Sequence, residues 1–208
     1  MEANAHEIIP RLWIGNLHAS QSTQFIRLNN INTVFNCTKT LPYHPDIPNK
    51  YRVPVDDNLE ETEIRNMELW SGEIALKLIK EYQSNNIILV HCHAGMQRSC
   101  ASVAFFLIAY KKMKANEAIE FIKSKRPIAF HGSVNFGRAI KYFEKKFHNE
   151  ILPDIDNFTS IKATSHPIGE KYHVIDGFTP SIRATSHPIG EKYQDLDNYT
   201  NHQKVKQD

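Results

Sequence analysis

The stretch that decides the fold is residues 88–102, ILVHCHAGMQRSCAS. It begins with a continuous apolar run, which is typical of a central strand buried on both faces. The run ends at a cysteine flanked by two histidines, and a loop with one glycine and one arginine follows before a helical pattern begins. A metal site, a structural turn and a phosphate-binding nucleophile loop all fit this order. These three interpretations place different demands on the rest of the chain.

Five residues separate Cys92 from Arg98, and they would form a tight loop between the strand and the helix. Successive backbone N–H groups in such a loop point inward as an anion nest, and the helix N-terminus adds partial positive charge. Gly95 permits the curled backbone, and the Arg98 guanidinium can donate to two phosphate oxygens. Cys92 would lie on the floor of this bowl as a stabilised thiolate. The predicted phosphate-binding residues are His93, Ala94, Gly95, Met96, Gln97 and Arg98.

Apolar runs and turn signals alternate up to about residue 147, as in an α/β domain. The pattern predicts strands at 12–15, 32–36, 50–55 and 87–91, and helices at 21–30, 61–82, 99–111, 115–124 and 132–147. Ser20 is a candidate N-cap for the first helix. We therefore expect a central, mostly parallel or mixed sheet flanked by helices, in one catalytic domain over residues 1–150.

Residues 151–208 have a different, polar character and contain the segment ATSHPIGEKY twice, at 163–172 and 184–193. Two such copies cannot bury a core, because solenoids usually need about three or more units. The favoured interpretation is a recent duplication in a flexible tail. The alternative is a bivalent motif that binds a partner twice.

Composition argues against several function classes. A formal net charge of +2 over 208 residues gives no argument for a nucleic-acid or membrane partner. The longest apolar run is far shorter than the roughly 20 residues that span a bilayer. Three cysteines do not form a secreted disulfide framework, and the N-terminus has no apolar leader. We expect a reducing, intracellular, cytoplasmic location, and the sequence leaves the oligomeric state open.

Two other interpretations of the cysteine are less favoured. A buried structural thiol would leave the spacing to Arg98 unexplained. Zinc sites usually use paired ligands such as C-x2–4-C, and the sequence contains no such pair. We therefore expect no metal and no cofactor, and we expect Cys37 and Cys100 to be buried packing residues.

The segment HCHAGMQRS, residues 91–99, resembles the H-C-x5-R-S/T signature of the cysteine-dependent protein phosphatases, specifically the dual-specificity branch. The resemblance covers about residues 8–148. IPRLWIGN resembles the first strand of that family, YRVPVDDN the segment with its general acid, and KRPIAF the arginine-proline after the helix that follows the loop. The resemblance implies a protein-tyrosine-phosphatase-like fold of the small dual-specificity type.

The resemblance also implies roles for the residues of the signature. Cys92 would be the nucleophile that forms a phosphocysteine intermediate, and Arg98 would bind the phosphoryl oxygens and stabilise the transition state. Ser99 would hydrogen-bond the sulfur and help it leave. His91 would orient the loop and support a low thiol pKa.

The general acid implied by the resemblance is Asp57, which would protonate the departing oxygen and then activate water. It is preferred because members of the family usually place the acid three residues after a proline like Pro54. Its neighbour Asp56 is the alternative.

Two positions depart from the pattern of the family. Gln97 stands where serine is frequent, and it would change hydrogen bonding on the loop rim rather than the chemistry. After Pro127 the chain lacks the Pro-Asn pair of the family, whose contact His131 or Asn135 would replace.

The predicted function is a protein phosphatase that hydrolyses phosphotyrosine and phosphoserine or phosphothreonine, with a phosphorylated protein as partner. The chain has no segment resembling the phosphotyrosine-recognition loop of the larger tyrosine-specific enzymes. The nucleophile loop also lacks the lysine common in lipid phosphatases of this superfamily. The alternatives are a non-catalytic phosphoprotein-binding module, or a phosphoinositide or RNA 5′-phosphatase on the same scaffold.

Overall fold

A computed structural model describes residues 4–152 of the protein. Within this range, five strands form one sheet: Ala5–Ile9 (β1), Leu12–Gly15 (β2), Thr33–Asn36 (β3), Asn49–Arg52 (β4) and Ile88–His91 (β5). The strand order is β1-β2-β5-β3-β4. β1 pairs with β2 in antiparallel fashion, and the other neighbours are parallel. The prediction of a mixed, mostly parallel sheet flanked by helices is confirmed.

The helices of the same range are Leu17–Gln21 (α1), Thr23–Leu28 (α2), Glu61–Gln83 (α3), Arg98–Lys111 (α4), Ala115–Lys125 (α5) and Gly137–Lys146 (α6), and a π-helical turn follows at Phe147–Ile151. α4 is buried on every side over residues 99–108, as expected for a helix that is apolar all round. It packs against α3, α5 and α6. The helix that begins at Arg98 is therefore fixed within the core.

β5 lies at the centre of the sheet, between β2 and β3, and all four of its residues are buried. The carboxyl ends of parallel strands meet at one edge of a sheet, which is where ligands bind in open α/β folds. The loops after β2, β3 and β5 therefore gather at one edge, and Cys92 is the first residue after β5.

The predicted helix at 21–30 was wrong in its boundaries and its cap. Two short helices, α1 and α2, occupy this region, and the side chain of Ser22 caps α2 by accepting from the Phe25 N–H at 3.1 Å. Ser20 lies inside α1, where its hydroxyl donates to the Leu17 carbonyl at 2.8 Å. Both serines precede an apolar helical pattern, so the sequence does not distinguish them.

Two further boundaries differ by three residues or more, and one strand is additional. β4 ends at Arg52 rather than at residue 55, and Pro54 has no N–H with which to extend the ladder. α6 begins at Gly137 rather than at 132. β1 was missed, because an edge strand with polar and charged residues lacks the apolar run of a central strand.

The predicted tail, residues 151–208, lies outside the described residues except for its first two. Those two residues, Ile151 and Leu152, pack against the main core. Both copies of ATSHPIGEKY lie beyond this point. Between residues 4 and 152, no helix is both long and apolar enough to cross a membrane.

Candidate active site

The carbonyl groups of the nucleophile loop, residues 93–97, accept hydrogen bonds from residues outside the loop. The Leu17 N–H donates to the His93 carbonyl at 3.0 Å, and the Phe130 N–H donates to the Met96 carbonyl at 2.8 Å. With these carbonyls tied outward, the N–H groups of the loop face the opposite side. This is the arrangement of an anion nest.

Arg126 binds the carbonyls of Ala94 and Gly95, which lie between His93 and Met96 in the loop. This residue is 0% exposed, and its Nε donates to the Gly95 carbonyl at 2.7 Å. A second nitrogen of the guanidinium donates to the Ala94 carbonyl at 3.4 Å. In the sequence, Arg126 is singled out only as part of the KRPIAF segment, and no role is predicted for it. Nothing in the local pattern shows that it reaches a loop 31 residues earlier in the chain.

Gly95 is required by both the backbone and the space around it. Its φ angle is +68°, in the left-handed region that side chains rarely adopt. A Cβ atom here would lie 2.5 Å from the Gly15 carbonyl oxygen and 2.7 Å from an Arg126 nitrogen. Because a backbone oxygen and a fixed guanidinium cannot give way, the loop can approach β2 this closely only with glycine.

Cys92 is 2% exposed, and its Sγ lies 3.4 Å from the Ser99 hydroxyl. Burial alone would raise the pKa of this thiol. The Arg98 charge, the Ser99 hydroxyl and the backbone N–H groups of Ser99 and Met96 together outweigh burial and hold the pKa below its ordinary value. A thiol in this position ionises more readily than free cysteine, which suits a nucleophile.

Arg98 is the first residue of α4 and lies at the edge of the loop. One terminal nitrogen donates to the Val55 carbonyl at 3.0 Å, in the segment that precedes the two aspartates. The Arg98 Nε is buried and has no hydrogen-bond partner among residues 4–152. A buried donor without a partner is costly, and a phosphate oxygen in the loop would satisfy it.

His91 is the last residue of β5 and is 0% exposed. Burial, with smaller contributions from Arg52 and Arg98, lowers its pKa to about 4, against a weaker opposing contact with the Cys92 backbone. The imidazole is therefore neutral near neutral pH. Any effect on the thiol pKa cannot come from a positive charge on this ring, and the two roles predicted for His91 stay predictions.

The two aspartates face different parts of the molecule. The Asp57 carboxylate accepts a hydrogen bond from the Asn135 side chain at 2.8 Å. Asp56 forms an ion pair with Lys39 at 2.9 Å, and its backbone N–H donates to Glu63 of α3. Asp57 is thus directed toward the loop that precedes α6, whereas Asp56 is engaged with α3. Which of the two is the general acid stays a prediction, with Asp57 preferred.

Gln97 links the nucleophile loop to the segment that holds Asp57. The residue is 5% exposed, so it is buried rather than on an open rim. Its side-chain amide donates to the Ser133 carbonyl at 2.7 Å, and its oxygen accepts from the Asn135 N–H at 3.1 Å. Both candidates for the contact after Pro127 reach Gln97, Asn135 through its N–H and His131 through its carbonyl, which accepts from the Gln97 amide at 3.4 Å.

The other two cysteines are fully buried. Burial raises the pKa of Cys37 to about 12 and raises that of Cys100 as well. Of the three cysteines, only Cys92 has a lowered pKa. Because thiols held in the neutral form are poor nucleophiles, Cys37 and Cys100 are poorly suited to that role. Among the residues that the structure describes, no group of three or more His, Cys, Asp or Glu side chains is placed to hold a metal ion.

The sequence of the chain also matches a known family. The family model described as "Dual specificity phosphatase, catalytic domain" matches residues 12–146. The chain belongs to the dual specificity phosphatase family. The match contains the nucleophile loop, both aspartates and Arg126.

Two curated relatives show the extent of the similarity. Human dual specificity protein phosphatase 16 is 30% identical over 145 residues, which are 69% of this chain and 21% of the relative. Mouse dual specificity protein phosphatase 2 is 28% identical over 123 residues, which are 59% of this chain and 37% of the relative. The chain therefore spans only a minor part of the length of these relatives.

Solved structures of the family share the fold. The crystal structure of DUSP15 superposes with a TM-score of 0.62 at 21% identity and covers 74% of this chain and 95% of its own. Human DUSP28 gives a TM-score of 0.59 at 20% identity, covering 69% and 95%. The fold predicted from the resemblance is confirmed.

Proposed function

We propose that the chain is a protein phosphatase that cleaves phosphate esters through a phosphocysteine intermediate. The observation that carries this proposal is the state of Cys92. The thiol is buried, yet its pKa is lowered, and it lies within a loop whose carbonyls are tied away from the centre. A structural cysteine has no need of this environment, whereas a nucleophile that attacks phosphorus does.

In the first step, the loop N–H groups and Arg98 bind the phosphate oxygens. The Cys92 thiolate attacks phosphorus, and the bond from phosphorus to the ester oxygen breaks. Asp57 gives its proton to the departing oxygen, so that an alcohol rather than an alkoxide leaves. The N–H dipoles of the loop and the Arg98 guanidinium stabilise the negative charge of the transferring phosphoryl group.

In the second step, water attacks the phosphocysteine. The Asp57 carboxylate takes a proton from this water, and the bond from sulfur to phosphorus breaks. The Ser99 hydroxyl, 3.4 Å from Sγ, donates to the thiolate as it forms. Inorganic phosphate leaves, and the enzyme returns to its starting state. The proposal includes no metal or cofactor, because the loop N–H groups and Arg98 stabilise the phosphate charge in both steps.

The proposed substrates are proteins phosphorylated on tyrosine and on serine or threonine. Membership of the dual specificity phosphatase family and the names of the relatives support this class. A phosphoinositide substrate is less favoured, because residues 93–97 of the nucleophile loop contain no lysine. An RNA 5′-phosphatase remains the other enzymatic alternative. The cytoplasmic location and a partner for the duplicated tail segment stay predictions.

A phosphoprotein-binding module without catalysis is the main alternative outside enzymes. The fold alone does not exclude it, because human tyrosine phosphatase-like serine/threonine/tyrosine-interacting protein superposes with a TM-score of 0.57 at 20% identity. Asp57 favours an enzyme, since phosphate binding alone needs no proton donor. The hydrogen bond from Asn135 holds that carboxylate in place.

A panel of substrates assayed side by side tests the proposal. It should include phosphotyrosine and phosphothreonine peptides, a phosphoinositide and a 5′-triphosphorylated RNA, with Cys92→Ser as the matched inactive variant. We expect turnover of both peptides by the native protein and none by Cys92→Ser, because serine keeps the loop but is not ionised near neutral pH. Faster turnover of the lipid or the RNA would reassign the substrate class. Binding of both peptides without turnover would favour the binding module.

A further inference from the structure

The orientation of Arg126 depends on a third contact besides the two loop carbonyls. Its remaining terminal nitrogen lies 2.7 Å from Nδ1 of His6, on strand β1. Among the hydrogen bonds of Arg126 within residues 4–152, none is to a carboxylate. A buried guanidinium held only by neutral acceptors depends on each of them for its placement.

The imidazole of His6 must act as an acceptor here. A guanidinium has donors only and stays protonated, so Nδ1 of His6 accepts and the ring proton lies on Nε2. Burial and then the Arg126 charge lower the pKa of His6, which keeps the ring neutral. His6 is paired with Ile14 of β2, and α5 packs on β1, so the ring is supplied by an edge strand outside the catalytic loop.

We propose that His6 is a positioning residue of the active site. By accepting from Arg126, it orients the guanidinium whose other two nitrogens hold the Ala94 and Gly95 carbonyls outward. The N–H groups of the loop are thereby kept facing Cys92 and the phosphate. His6 acts through Arg126 and does not touch the substrate. The inference rests on the proposed function, because the loop that His6 positions is the proposed phosphate site.

Two substitutions at this position separate the acceptor from the bulk of the side chain. His6→Leu keeps an apolar side chain of similar size and removes the acceptor. His6→Asn places an amide oxygen at the δ position, where Nδ1 now lies. Glu7→Leu, at the exposed neighbouring position of the same strand, is the matched control.

Three properties are then measured in the full chain. These are the affinity for tungstate, a tetrahedral oxyanion that probes the loop, the pH dependence of Cys92 alkylation by iodoacetamide, and turnover of an aryl phosphate. His6→Leu should weaken tungstate binding about tenfold, at the low end of what a hydrogen bond to a charged group contributes, and should raise the Cys92 pKa. His6→Asn and Glu7→Leu should stay within about threefold of the native protein.

Thermal unfolding separates positioning from general destabilisation. His6→Leu leaves a donor of the buried Arg126 unpaired and should lower the Tm, so the loop properties are compared well below the Tm of every variant, where each is fully folded. Native tungstate affinity and native thiol titration in His6→Leu would overturn the proposal. Equal damage in His6→Asn would do so as well. Failure of the native protein to turn over any phosphate ester would refute the proposed function instead, and the tungstate and thiol measurements would still decide the role of His6.

Discussion

Asp57 and Asp56 are adjacent in the chain, but their side chains have different partners. Asp57 is bound by Asn135, and Asp56 pairs with Lys39, whose side chain is 41% exposed against 46% for Asp56. An ion pair this exposed contributes at most about 1 kcal/mol to stability. The proposed proton donor is therefore the first carboxylate, and the ion pair of the second is a small contribution to stability.

Replacing each aspartate tests this division. Asp57→Asn should lower kcat by roughly 10²–10⁴ for an ester with a poor leaving group, because the departing oxygen loses its proton donor. The loss of kcat/KM, which reports formation of the intermediate, should shrink for a leaving group that is already acidic. Asp56→Asn is the matched control and should change kcat by no more than about fivefold, in keeping with an exposed ion pair. Steady-state kinetics on the two esters give the answer, and the reverse pattern would make Asp56 the acid.

At the scale of elements, the central contacts are between loops. Gln97 joins the nucleophile loop to the segment before α6, and Asn135 of that segment joins it to Asp57. The proposed phosphate-binding loop and the proposed general acid are thus joined by one chain of hydrogen bonds. A change at Gln97 should therefore affect proton transfer, although the residue makes no contact with the aspartate.

Gln97→Met tests the link, because methionine has a similar shape but cannot make the two hydrogen bonds. It removes two hydrogen bonds to the exposed Ser133 and the half-buried Asn135, which should lower the free energy of unfolding by about 1–3 kcal/mol in total. We expect kcat/KM to fall more for the poor leaving group than for the acidic one, since the loop that carries Asn135 is no longer tied to Gln97. Gln83→Met, at the exposed end of α3, is the control for stability and kinetics. An equal fall for both leaving groups would show that Gln97 supports the loop but not the acid.

The sequence predicts those parts of the site that lie within one short segment. Strand β5, the loop and the start of α4 follow from apolar periodicity and the spacing of Cys92 and Arg98. The contacts that complete the site join distant positions, because Asn135 and Asp57 are 78 residues apart and Arg126 and His6 are 120 apart. Local patterns carry no information on such pairs. They also left β1 undetected and placed a cap at Ser20 instead of Ser22.

At the scale of the whole molecule, the question is where the catalytic unit ends. The family match ends at residue 146, but the chain continues to pack beyond it. Phe147 is 5% exposed and stacks on Phe143 with ring centroids 6.0 Å apart, and Ile151 and Leu152 pack against the same core. The π-helical turn therefore belongs to the domain.

Two truncations test this boundary. A chain that ends at Leu152 should fold and keep native activity on a small aryl phosphate. A chain that ends at Lys146 should lose several kcal/mol of stability, because removing one buried phenylalanine side chain alone costs about 3–5 kcal/mol. Urea unfolding and the aryl phosphate assay measure both effects. Loss of most activity in the chain that ends at Leu152 would show that residues 153–208 contribute to the catalytic unit.

The most direct test of the account is to trap the covalent intermediate. Asp57→Asn, which slows hydrolysis of the intermediate, is mixed with an ester that has an acidic leaving group, quenched in acid and digested for mass spectrometry. The account predicts one added phosphoryl group on the peptide that contains Cys92, and none when Cys92→Ser is combined with Asp57→Asn. Steady turnover by Cys92→Ser, or a phosphoryl group on any other residue, would contradict it.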